Sequence, residues 1–127
     1  MRIMVVEDLA IMRRVIVNCL RNIGIDDIVE ATDGIDAFSK IQKDNIDFLI
    51  TDWNMPSMNG KDLVKMLRKD KQHKDIPIMV ITAKGNTEAV FEVSKAKVND
   101  FIVKPITPES LQKKINDILG NLGKPGI

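Results

Sequence analysis

At 127 residues, 44% hydrophobic and 29% charged, the chain has the size and composition of one ordinary globular domain with a core of its own. Nineteen basic against eighteen acidic residues leave a net charge of +1, which argues against nucleic acid as a partner, and the short apolar runs argue against a membrane span. Cys19 is the single cysteine, so no internal disulfide can form; with no signal-peptide layout at the start, a cytoplasmic protein is expected, and a monomer.

In chain order the pattern alternates between strand and helix. Ile3, Met4, Val5 and Val6 form a continuous apolar run, as in a strand buried on both faces, and the run ends on Glu7-Asp8. A helical stripe of Met12, Ile16, Cys19, Leu20 and Ile23 follows, with Gly24 placed to stop it. Residues 27–31 read as a weaker second strand, and Asp33-Gly34 turns into a helix carrying Ala37, Phe38 and Ile41. The third strand covers 47–51 and stops on Asp52; a loop containing Pro56 and Asn59 then leads to a helix from Gly60 with Leu63, Met66 and Leu67. Pro77 precedes a fourth strand over 78–81, ending on Thr82-Ala83, and a loop with Gly85 and Asn86 opens a fourth helix with Val90, Phe91 and Val93. The fifth strand, 101–103, ends on Lys104-Pro105. Thr107 and Pro108 are N-cap and first residue of the last helix, whose stripe is Leu111, Ile115, Ile118, Leu119 and Leu122; Gly120 is placed to end it, with a few loose residues after. Five strand–helix units with short connections predict an α/β domain, a parallel sheet covered on both faces, over residues 1–122 with a tail at 123–127.

Parallel strands bring Glu7-Asp8, Asp52, Thr82 and Lys104 to one edge of the sheet, the edge where open α/β sheets bind ligands. Three carboxylates crowded there raise one another's pKa unless a cation compensates. Lys104 supplies one positive charge and a divalent metal would supply the rest; an all-oxygen donor set without His or Cys points to Mg²⁺ rather than zinc. Metal, ammonium, hydroxyl and carboxylate nucleophile together are the equipment of phosphoryl transfer.

This succession of an acid pair, Asp52-Trp53-Asn54-Met55-Pro56, Thr82 and Lys104-Pro105 at strand ends resembles the bacterial response-regulator receiver domains, and among them the CheY-like chemotaxis regulators. The resemblance implies a flavodoxin-like (βα)5 doubly wound sheet in the order 2-1-3-4-5, an order that comes with the family and not from the residues. It implies that Asp52 accepts a phosphoryl group from a histidine kinase of the chemotaxis type. Asp8, Asp52 and the Asn54 carbonyl would ligate Mg²⁺ directly, with Glu7 acting mainly through water. Lys104 and Thr82 would hold the phosphoryl oxygens. Phe101 would be the switch aromatic, turning inward as Thr82 moves and so reshaping the face of the fourth helix, fifth strand and fifth helix. Such a protein is a signalling switch, not an enzyme beyond its own phosphorylation and dephosphorylation, and the output partner implied is the flagellar motor switch. Asn54 and Lys84, flanking the site, would set the lifetime of the phosphate.

Three positions depart from the family pattern. Glu7 replaces the usual aspartate, Phe101 the usual tyrosine, and Lys97 a usual glycine. If the backbone at 97 keeps a positive φ, Lys97→Gly should stabilise by about 1 kcal/mol. His73, in a charged loop, is expected to be exposed, and Lys95, Lys97, Lys113 and Lys114 to form a solvated face. A haloacid-dehalogenase-like phosphatase also uses a strand-end aspartate, but needs a second Asp two residues on, where this chain has Asn54. A phosphorelay intermediate, the receiver of a larger transcriptional regulator and a receiver that is never phosphorylated stay open as other uses of the same fold.

Overall fold

The computed structural model describes residues 1–83 and 95–127. Five strands, β1 (Ile3–Val6), β2 (Ile28–Ala31), β3 (Phe48–Asp52), β4 (Ile78–Thr82) and β5 (Asp100–Val103), form one sheet in the order β2-β1-β3-β4-β5. Every pairing is parallel, which gives the flavodoxin-like arrangement. Four helices are described: α1 (Ala10–Asn22), α2 (Gly34–Ile41), α3 (Gly60–Lys69) and α4 (Pro108–Asn121). The helix expected around Val90, Phe91 and Val93, and Lys84 with it, lie outside the described residues. Among the described residues, no helix is long and apolar enough to cross a membrane.

The near-continuous apolar strands have a physical reason: both faces of the sheet are covered. Alternate side chains enter two cores. Ile3, Val5, Phe48, Ile50, Met79 and Ile81 pack with Ile16 and Leu20 of α1 and Leu111 and Ile115 of α4. Met4, Val6, Leu49, Ile78 and Val80 pack with Ala37 and Ile41 of α2 and Leu63, Val64 and Leu67 of α3. Cys19 is buried in the first core, as its place on the α1 stripe required.

Local signals decide where helices begin and end. Asp33 and Asn59 cap α2 and α3 by accepting from the Asp36 and Asp62 amides at 2.8 and 2.9 Å. Thr107 and Ser110 form a reciprocal capping box on α4, each side chain accepting from the other's amide at 3.1 Å. Gly24 follows α1 with φ +92°, the left-handed turn for which glycine suits best.

Four expectations are corrected. Gly120 does not stop the last helix: α4 continues to Asn121, and Gly123, at φ +69°, makes the turn. The tail is not loose, because the Ile127 amide donates to Asn116 Oδ1 of α4 at 2.8 Å. Lys97 does not have a positive φ; among the described residues Ser57 is the non-glycine that does, so the basis for a stabilising Lys97→Gly is gone. His73 is not exposed: its side chain is 14% accessible, with Nδ1 3.3 Å from Asp70 Oδ2.

Candidate functional site

The sheet register assembles the site. Val6 pairs with Thr51, so the next residues, Glu7 and Asp52, reach the same level on adjacent strands. Both continue the side-chain parity of Val5 and Ile50, toward the face covered by α1 and α4. Asp52 pairs with Ile81 and Thr82 with Val103, which puts Thr82 and then Lys104 at the same edge. Asp52 is thus the last residue of β3 rather than one beyond it, because the ladder continues past it: the Trp53 amide donates to the Ile81 carbonyl at 3.0 Å.

Carboxylate oxygens of Glu7, Asp8 and Asp52 lie within 4.8 Å of one another. Glu7 is fully buried, Asp52 nearly so and Asp8 half-buried. Lys104 Nζ stands 3.9 Å from Asp52 Oδ1, too long for a hydrogen bond but close enough for strong attraction in a partly buried site. Among the described residues no group meets hydrogen-bond geometry with either oxygen of Glu7, although the Leu9 amide and the Asp52 carboxylate lie near enough to act on it. Burial above all, then the negative charge of Asp52, pushes the Glu7 carboxyl up to about 7, while Lys104 pulls it back down. A buried, unpartnered acid is costly unless something occupies it. The donor set is all oxygen and carries a surplus of negative charge, so a hard divalent cation fits it.

The remaining expected residues are placed as follows. Thr82 is buried at the end of β4, and its carbonyl accepts from the Lys104 amide at 2.9 Å, so the two strand ends are fixed to each other. Asn54 is exposed in the loop directly after Trp53, whose indole is buried in the second core. Phe101 is half-buried on β5; Lys114 Nζ lies 5.8 Å from its ring centroid and 3.1 Å from Asp100 Oδ2. Lys84 is outside the described residues.

Two residues that shape the site did not stand out in the sequence. A Cβ on Gly60 would fall 2.2 Å from the Asp52 carbonyl oxygen, and the Gly60 amide closes the 53–60 loop by donating to the Trp53 carbonyl at 3.1 Å. Only glycine allows that approach, so the loop's own geometry holds Asp52 in place. The Gly residue was visible in the sequence as a helix start; its contact with Asp52 was not. Arg13 of α1 donates through Nη1 to the Glu7 carbonyl at 2.8 Å and through Nε to Glu30 at 3.1 Å. It thereby clamps the segment that carries the acid pair, and one arginine of the Arg13-Arg14 pair on a helix gives no sequence signal for such a role.

The family model of the response regulator receiver domain matches residues 3–116. The chain is a response-regulator receiver domain. It is 46% identical to a "Chemotaxis protein CheY homolog" of Campylobacter jejuni over 121 residues, 94% of this chain and 93% of that relative. Among solved structures, the receiver superposes on chemotaxis protein CheY4 of Vibrio cholerae with a TM-score of 0.85 at 32% identity, covering 93% of this chain and 98% of the other. It superposes equally well, TM-score 0.85 at 25% identity over 94% and 97% of the two chains, on the receiver domain of a Pseudomonas aeruginosa sensor histidine kinase, a structure described with a magnesium ion coordinated in its active-site cleft. This receiver therefore belongs to two-component signalling and to the CheY type within it.

Proposed function

We propose that this receiver is a phosphorylation-dependent switch in which Asp52 is the phosphoacceptor and Mg²⁺ the cofactor. The observation that carries the reading is the buried, unpartnered Glu7 carboxylate beside Asp8 and Asp52, with Lys104 facing Asp52 at 3.9 Å. Asp8, Asp52, the Asn54 carbonyl and Glu7 are the residues that would hold the metal, which would supply charge neutralisation for the incoming phosphoryl oxygens. An Asp52 carboxylate oxygen attacks phosphorus, the bond from phosphorus to the donor nitrogen of a kinase phosphohistidine breaks, and an aspartyl phosphate results. Lys104 neutralises part of the charge on the transferred group, and the Thr82 hydroxyl donates to one of its oxygens. The partly buried environment of both makes those contacts stronger than they would be in water.

Output follows from the same residues. Thr82, drawn toward the phosphoryl group, vacates space that the half-buried Phe101 ring can enter, and the surface around β5 and α4 changes with it. The CheY-type relatives support a chemotaxis setting: a histidine kinase of that pathway as donor, the flagellar motor switch as target, and a cytoplasmic, monomeric protein whose working unit is residues 1–122.

The direct test is incubation with Mg²⁺ and acetyl phosphate, followed by intact-mass spectrometry. One added phosphoryl group, labile to hydroxylamine and absent from Asp52→Asn, is expected. An unmodified wild type, or an adduct retained by Asp52→Asn, would overturn the assignment.

A further inference from the structure

A second concentration of charge lies along α3, and the acid pocket does not account for it. Six of the chain's nineteen basic residues, Lys61, Lys65, Arg68, Lys69, Lys95 and Lys97, line one groove of about 390 Å³. Its floor is apolar, with Val64 of α3 and Ala96, and no acidic residue is among the described residues that line it. In a chain whose net charge is only +1, this is a marked segregation.

The spacing on α3 makes it unusual. Lys65 and Lys69 stand at i and i+4, so like charges are neighbours on one helix face and repel. Elsewhere the same chain does the opposite: Lys40 pairs with Asp36 at 3.2 Å on α2, and Lys113 with Asp117 at 3.0 Å on α4, each at i,i+4 spacing. Lys65, Lys69 and Lys97 are exposed, and among the described residues no salt bridge reaches them.

Arg68 has a different part. Its guanidinium donates to the carbonyls of Lys74, Ile76 and Lys97 at 2.9, 2.7 and 2.7 Å and to Asn99 Oδ1 at 3.3 Å. It fastens α3 to the segment before β5 and fixes the groove's width, and its donors are largely used up in doing so. The charge offered to a ligand is therefore that of Lys65, Lys69 and Lys97. Lysine ammoniums are point charges open to any anion, so the rest of the lining decides: its described part holds no aromatic ring on which a base could stack, and its floor of Val64 and Ala96 asks for an apolar group that a phosphate backbone lacks. Carboxylates spaced along a peptide, with an apolar side chain between them for the Val64 and Ala96 floor, match the groove.

We propose that this groove is a docking surface for an acidic segment of a partner protein, a segment in which carboxylates flank an apolar side chain. Contact there is made by α3 and residues 95–97, not by the Asp52 pocket, and so needs no phosphoryl group.

The probe is a fluorescein-labelled peptide alternating glutamate and leucine, with its glutamine–leucine counterpart, phosphatidylserine vesicles and a single-stranded oligonucleotide as competitors for the assignment. The full chain should bind the acidic peptide saturably, with amide shifts centred on Lys65, Lys69 and Lys97, and should ignore the glutamine version. Lys65→Glu/Lys69→Glu should weaken binding by about tenfold or more, and Lys124→Glu, an exposed change in the tail, should leave it unaltered. The double reversal sets two carboxylates at i,i+4, one of them at the carboxyl end of α3, so it should melt slightly lower than wild type; Lys65→Gln/Lys69→Gln, which removes the repulsion without adding another and makes half the charge change, should melt no lower and give an intermediate loss of binding. No saturable binding of the acidic peptide, binding indifferent to the double reversal, or stronger capture of vesicles or oligonucleotide would each overturn the proposal.

Discussion

The two ends of this sheet treat polar groups in opposite ways. At the amino-terminal end, the Arg2 amide donates to Asp47 Oδ2 at 2.8 Å, its guanidinium pairs with Asp27 at 3.1 Å, Asn99 Oδ1 takes the Ile78 amide at 2.8 Å, and Arg68 holds the Ile76 carbonyl. At the carboxyl-terminal end, the Glu7 carboxylate is buried with no hydrogen-bond partner among the described residues, three acids crowd within 4.8 Å, and Lys104 stops 3.9 Å short of Asp52. One end is closed by hydrogen bonds that stabilise the fold. The other crowds three carboxylates that a single ion pair with Lys104 only partly offsets, a state that costs stability and that a divalent cation would relieve. The same strands serve both, which is why the difference marks function rather than a poorly packed region.

Substitutions at each end should therefore fail in different ways. The largest stability loss is expected for Gly60→Ala: a methyl meeting the Asp52 carbonyl has only backbone to displace, and a cost of about 3 kcal/mol in urea unfolding should accompany loss of phosphorylation. Asn99→Ala, at the closed end, should cost about 2 kcal/mol by orphaning the Ile78 amide and one Arg68 donor, while the rate of Asp52 phosphorylation stays at the wild-type value. Glu7→Gln should do the reverse and stabilise the metal-free protein by about 1–2 kcal/mol at pH 8. The sign follows from the carboxyl's rise to about 7 from an unfolded value of 4.5: between those values the folded state binds the extra proton, so wild-type stability falls as pH rises through that window. Urea midpoints of the two proteins in chelator should lie close together at pH 4.5 and part by pH 8; parallel midpoints would show that Glu7 is not strained. Smallest is Lys97→Gly, now expected to destabilise by about 0.5–1 kcal/mol, since the backbone there has no left-handed φ to relieve and glycine only loosens the unfolded chain. A rise in its thermal midpoint would contradict that.

Element order and most boundaries were legible because apolar runs and caps are local signals. Thr107-Pro108 and Asp33-Gly34 mark their helices by chemistry that acts within one turn. The strand order was not local information; it came with the family. The acid cluster was legible once the strands were known to be parallel, because strand ends then share an edge. What the sequence concealed was distance. Gly60's contact with Asp52, Arg13's hold on the Glu7 carbonyl and Arg68's reach to four acceptors all depend on how segments pack. Lys97 and His73 were misread because φ at a loop residue and the approach of Asp70 to an imidazole depend on the backbone path, which composition does not carry.

The central claim is that the carboxyl-terminal edge keeps its acids unpaired to receive a divalent cation and then a phosphoryl group on Asp52. Trp53, buried next to Asp52, is placed to report on both events. Its fluorescence should be followed as Mg²⁺ and then acetyl phosphate are added to wild type and to Asp52→Asn. A saturable change with Mg²⁺ and a further change with acetyl phosphate that Asp52→Asn lacks are expected. A wild-type signal flat to both additions, or a phosphodonor response that survives Asp52→Asn, would contradict the claim.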